Sequence, residues 1–219
     1  MNNSKLRSKL AVFMVMVLNP FINGCSPQRE PVAIAIVLDK SGSAWEKRER
    51  GFEYLRTILQ GQYLPKGSTL ALTSCGRVSK VVWEGRIKST AEILEAYQEA
   101  VQKKEEGGGT DVVTALELSR DWLTMQHDQG MKTMILTGWT DMQADPVKNG
   151  KRVVHAFKPA SAMTWPGAKN VQVIMFGVAP VEAGTLQKQW APSLATVLLY
   201  GPAHRIRPED IGLTRGTTY

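Results

Sequence analysis

Three short segments, far apart in the chain, carry oxygen-bearing side chains at spacings that suit a metal ion. Asp39-Lys40-Ser41-Gly42-Ser43 sets a carboxylate and two hydroxyls at alternate positions, and Gly42 lets the chain turn tightly enough for them to converge. Gly107-Gly108-Gly109-Thr110-Asp111 offers another hydroxyl from a glycine loop at a helix start. Thr137-Gly138-Trp139-Thr140-Asp141 offers a second carboxylate. No His or Cys stands among these donors, so hard cations such as Mg²⁺, Mn²⁺ or Ca²⁺ fit and zinc does not. Two carboxylates at most offset the charge of such an ion, which leaves a position for a carboxylate from another molecule. The plainer alternative is capping: Ser41, Gly42 and Ser43 before one helix, Thr110 and Asp111 before another.

The elements around these segments explain how they could meet. Residues 32–38 form a continuous apolar run, the pattern of a strand buried on both faces. Trp45, Phe52, Leu55 and Leu59 then line one face of a helix, which ends in the break at 60–67. Strands are expected at 69–74 and 78–83, joined so tightly through Gly76-Arg77 that the second must be antiparallel. A helix over 89–104 stops at the three glycines, and Thr110 opens another with Val113, Leu116 and Leu123 inward. Further strands are expected at 133–137, 171–176 and 195–200, with a short helix near 186–190 between the last two. Residues 143–168 read as a long connection or a small insertion. Strands alternating with helices imply a mostly parallel sheet covered on both faces, with one antiparallel edge strand. Ligands of such sheets settle at the carboxyl ends of the strands, where all three segments fall.

Asp-x-Ser-x-Ser after a buried strand, a Gly-Gly-Thr loop and a later Asp together resemble the metal-ion-dependent adhesion site of the von Willebrand factor A (VWA) domain family. The resemblance runs from residue 32 to about 200. It implies a Rossmann-like three-layer αβα sandwich that binds protein partners through a metal, not an enzyme. Asp39, Ser41, Ser43 and Thr110 would be ligands, with Asp141 completing the set. The family usually has Asp-Gly directly after its fourth strand, near Gly138 here, so Asp141 serves if that strand runs past 137; Asp145 is the substitute. A partner's acidic side chain would then complete the metal shell. Trp45, Trp139 and Trp165 could frame the site, with rim packing as the alternative.

The first residues carry an address. Lys5, Arg7 and Lys9 precede the apolar run 10–18, which is far short of the ~20 residues that span a bilayer. Ile22-Asn23-Gly24-Cys25 is similar to the lipobox of bacterial lipoproteins, in which the cysteine becomes the first mature residue and carries acyl chains. The expected order is therefore a signal peptide (1–24), a tether (25–31), a VWA-like domain (32–203) and a C-terminal tail (204–219). The address is the bacterial envelope, by lipid anchor. Removing the three basic residues before Cys25 takes the formal net charge from +7 to +4, a mildly basic surface that can meet anionic partners. The segment His204-Arg205-Ile206-Arg207 is basic without interleaved aromatics and reads as a solvated tail, not a nucleic-acid patch. Cys75 reads as a small buried residue; a disulfide to Cys25 is the rival.

Catalytic signatures are missing. The chain has no Gly-x-Ser-x-Gly elbow, no phosphate-binding glycine loop ending in Lys-Ser or Lys-Thr, and no His-Glu-x-x-His. Ser41 stands where a phosphotransferase using Asp39 as nucleophile would want a carboxylate. A structural subunit working without metal is the remaining alternative to a metal-dependent binding module.

Overall fold

The computed structural model describes residues 30–40, 48–59, 64–101, 110–142, 147–148, 151–152, 165, 167–207 and 210. Ser41, Ser43, Trp45, the glycines 107–109 and Cys25 lie outside them. Strand β1 (Val32–Asp39) leads to helix α1 (Arg48–Leu59), then to β2 (Thr69–Cys75) and β3 (Lys80–Arg86). Helices α2 (Thr90–Val101) and α3 (Val112–Asp128) precede β4 (Thr133–Trp139). Two short strands, β5 (Val147–Lys148) and β6 (Lys151–Arg152), pair with each other, and β7 (Val171–Phe176), α4 (Pro180–Trp190) and β8 (Thr196–Tyr200) follow.

The main sheet has the order β3-β2-β1-β4-β7-β8. Every pairing in it is parallel except β2 with β3, so the expected antiparallel edge strand is present. β1 sits centrally and the strand order reverses beside it, which is the switch point where such sheets bind ligands.

Side chains of β1 alternate between two layers, as the pleat requires. Ile34, Ile36 and Leu38 join Tyr54, Leu55, Ile58 and Leu59 of α1 and Ile93 and Tyr97 of α2. Ala33, Ala35 and Val37 face Val112, Ala115, Leu116 and Leu123 of α3, with Leu186 and Trp190 of α4 in the same cluster. The small alanines let α3 lie close over β1, so its start is held near the end of that strand. Val113 is only half-buried where an inward position was expected. The helix begins at Val112, and Val112 with Ala115 and Leu116 takes the core face instead.

Gly138 is a steric necessity. A Cβ there would stand 2.3 Å from the Val37 carbonyl oxygen, so no side chain fits where Gly138 pairs with Val37 of β1.

The stretch after β8 departs from a solvated tail. His204 stacks on Tyr200 at a centroid distance of 4.1 Å and its Nε2 lies 2.9 Å from Oδ2 of Asp210. Arg207 adds its backbone N–H at 2.9 Å and its guanidinium at 3.2 Å to the same carboxylate. Burial pushes the Asp210 carboxyl upward, but the bonds from His204 and Arg207 outweigh it and hold the group below its ordinary 3.8. A lowered carboxyl contributes stability above its unfolded pKa and loses it as pH falls through the folded one. Asp210→Asn should therefore lower Tm near neutral pH by roughly 3 °C, about 1 kcal/mol. The gap to the parent protein should close below about pH 4. Thermal unfolding across that range checks this; a gap that is constant with pH would contradict it.

Candidate metal centre

β1 delivers Asp39 at its last position, in register with Cys75 of β2 and only 4% exposed. Directly beyond, the Lys40 N–H donates to the Cys75 carbonyl at 2.7 Å. The Asp111 N–H donates to the next carbonyl, that of Gly76, at 2.8 Å. Two consecutive carbonyls at the end of β2 thus hold the segments that carry Asp39 and Thr110. Ser79 Oγ fastens the second segment again, donating to the Asp111 carbonyl at 2.7 Å. Thr110 is itself buried. Asp111 serves as the cap of α3, its Oδ1 accepting from the Thr114 N–H at 3.1 Å. The capping reading is therefore correct for Asp111.

β4 runs past 137 as far as Trp139, so the rim on this side consists of Thr140, Asp141 and Met142. The Thr140 hydroxyl donates to Oδ2 of Asp39 at 2.9 Å and accepts from the Met142 N–H at 3.0 Å. Thr140 was not singled out from the sequence. No periodic signal marks it: Gly138 and Trp139 extend the strand by a tertiary fit, which carries the rim forward to Thr140. Asp141 is half-buried, and its carbonyl accepts from the Ala179 N–H at 3.1 Å. Met142 has φ +62°, left-handed for a residue with a side chain. That conformation costs about 1–2 kcal/mol, and the fully buried Met142 side chain offsets it with about 1.5–3 kcal/mol.

Burial pushes the Cys75 thiol well above its usual range, and the carboxylates of Asp39, Asp111 and Asp141 push it further, against a hydrogen bond with Ser79. Cys75 is a buried free thiol. Asp39, Thr110, Thr140 and Asp141, carried by the three segments, offer oxygen donors. Among the described residues no three His, Cys, Asp or Glu side chains form a metal-holding group. A cation here would depend on hydroxyl oxygens beside Asp39.

The tryptophans behave differently from a common frame. Trp139 is buried among Ile36, Leu38 and Phe176 in the layer of α1. Trp165 lines a groove with His127, from the last turn of α3, and with Gly167 and Pro192. That groove is at the amino edge of the sheet, so Trp165 is remote from Asp39.

A three-layer α/β sandwich with oxygen donors at the switch point is the class of molecule that this geometry defines. Solved structures say which: the chain has the von Willebrand factor type A fold. It superposes on the vWF domain of the type V pili tip protein Mfa5 from Porphyromonas gingivalis with TM-score 0.54 at 12% identity, covering 87% of this chain and 98% of that one. A von Willebrand factor type A protein from Catenulispora acidiphila gives 0.50 at 18% identity, over 84% of this chain and 41% of the other. Proximal thread matrix protein 1 of the mussel byssus gives 0.52 at 17% identity over 78% of this chain, which spans only 43% of the mussel protein. No protein-family model and no curated protein sequence matches the chain.

Thr140→Val keeps the shape but removes the donor to Asp39 and the acceptor for the Met142 N–H. Thermal unfolding should show a loss of about 1–2 kcal/mol, roughly 5 °C in Tm. An unchanged Tm would mean that the hydroxyl does not hold the rim.

Proposed function

We propose that this chain is an exported, lipid-anchored binding module of the VWA type. It holds a divalent cation, Mg²⁺ foremost, and takes an acidic side chain of another protein there. One observation carries the reading: Lys40 and Asp111 bond to consecutive carbonyls at the end of β2, on a sheet with the VWA fold. In this reading Asp39 supplies the buried negative charge, Ser41, Ser43 and Thr110 supply neutral oxygens, and Asp141 is the second carboxylate. The left-handed Met142 supports Asp141, because it stands where the glycine of the family's Asp-Gly pair would. Thr140 is a positioning residue that fixes the Asp39 carboxylate. A bound ion would supply residual positive charge, and a partner's carboxylate satisfies it. Among the structural neighbours are a pili tip protein and a byssus thread matrix protein, in keeping with a binding role and not a catalytic one.

Adding Mg²⁺ should raise Tm by mass action, by about 2.7 kcal/mol at a hundred times its Kd, and Asp39→Ala should abolish the rise. A parent protein that ignores Mg²⁺, Mn²⁺ and Ca²⁺ alike would favour the metal-independent structural subunit. Cells fed labelled palmitate should label the chain, and Cys25→Ser should remove the label. Persistence of the label in that variant would place the lipid elsewhere.

A further inference from the structure

A second feature opens on the same rim. Between α1 and the stretch after β8 lies a cleft of about 440 Å³. Its floor is Trp139, the residue directly before Thr140. One wall carries Arg50, Glu53 and Arg56 of α1, and the other carries His204 and Arg205. The walls are built, not loose. Arg50 Nη1 donates to the Pro202 carbonyl at 2.7 Å, tying α1 to the far wall. His204 is fixed between the Tyr200 ring and the Asp210 carboxylate. Arg56 and Arg205 are exposed at the mouth.

The charge pattern selects the ligand. Arg50 and Arg56 are six residues apart on α1, roughly 9 Å along the axis. One phosphate cannot bridge that span. Glu53 lies between them and repels an anion at the middle of the cleft, while it can accept from an N–H. An extended peptide fits all three: same-face side chains recur about every 6.8 Å, the long arginines reach across the remainder, and the backbone between supplies N–H donors. We propose that this cleft binds an extended acidic segment of a partner protein, two of its carboxylates pairing with Arg50 and Arg56, an intervening amide with Glu53, and Arg205 of the opposite wall adding positive charge at the mouth. The inference stands on the cleft alone and needs no metal.

The test is fluorescence anisotropy of a labelled octapeptide of alternating Glu and Ser, measured on the full chain in chelator. The parent protein should bind it, more weakly as salt rises, and should not bind the Lys-Ser counterpart. The pair Arg56→Glu with Arg205→Glu should weaken binding at least about ten-fold. The milder pair Arg56→Gln with Arg205→Gln, matched to the parent in Tm, should fall between and guards against a folding defect. Equal binding by the parent and both pairs would overturn the proposal. So would binding that appears only with Mg²⁺, which would assign the peptide to the metal rim. Displacement by inorganic phosphate as effective as by unlabelled peptide would also overturn it.

Discussion

Everything at the functional edge depends on the end of β2. The carbonyl of its last residue, Cys75, and that of the following Gly76 accept from Lys40 and Asp111, the residues that follow the Asp39 carboxylate and the Thr110 hydroxyl. Backbone bonds of 2.7–2.8 Å are short for amides, and they fix main chain, which side-chain packing alone does not. Two segments about seventy residues apart in sequence are thereby held as neighbours before any ligand arrives. Such preorganisation reduces the ordering cost of binding. The small residues Ala33 and Ala35 on the α3 side of β1 make it feasible, because they let the helix start approach the strand end.

The same corner collects negative charge in a partly dry setting. Asp39 is nearly buried, and Asp141 and Asp111 bear on the same thiol. Asp111 is engaged at the start of α3 and Thr140 steadies Asp39. Hydroxyls beside the carboxylates keep the total negative charge low, so that a bound ion would remain attractive to an incoming carboxylate. Beyond Trp139, the cleft lined by Arg50, Arg56 and Arg205 carries positive charge.

Much of this was legible in the residues. The run 32–38 announced a central strand, the tight Gly76-Arg77 link announced the antiparallel edge, and Asp39 fell where the first strand ends. Ends of elements were harder. β4 continues to Trp139 because Gly138 alone fits against the Val37 carbonyl, a contact with no periodic signature. That extension made Thr140 the residue that touches Asp39, and single-chain spacing could not reveal it. α4 starts at Pro180, earlier than the expected 186; Pro180 at its first turn was the available cue. The stretch at 204–210 looked like a tail because its anchors, stacking on Tyr200 and the Asp210 carboxylate, are tertiary.

The central claim is that the hydroxyl of Thr110 and the carboxylate of Asp39 serve one ion. Anomalous scattering from a crystal of the mature chain grown with Mn²⁺ tests it most directly. The account predicts a single strong peak about 2.1 Å from oxygens of both residues. A peak bound to only one of them, or seated elsewhere while residue 110 turns its hydroxyl away, would contradict it.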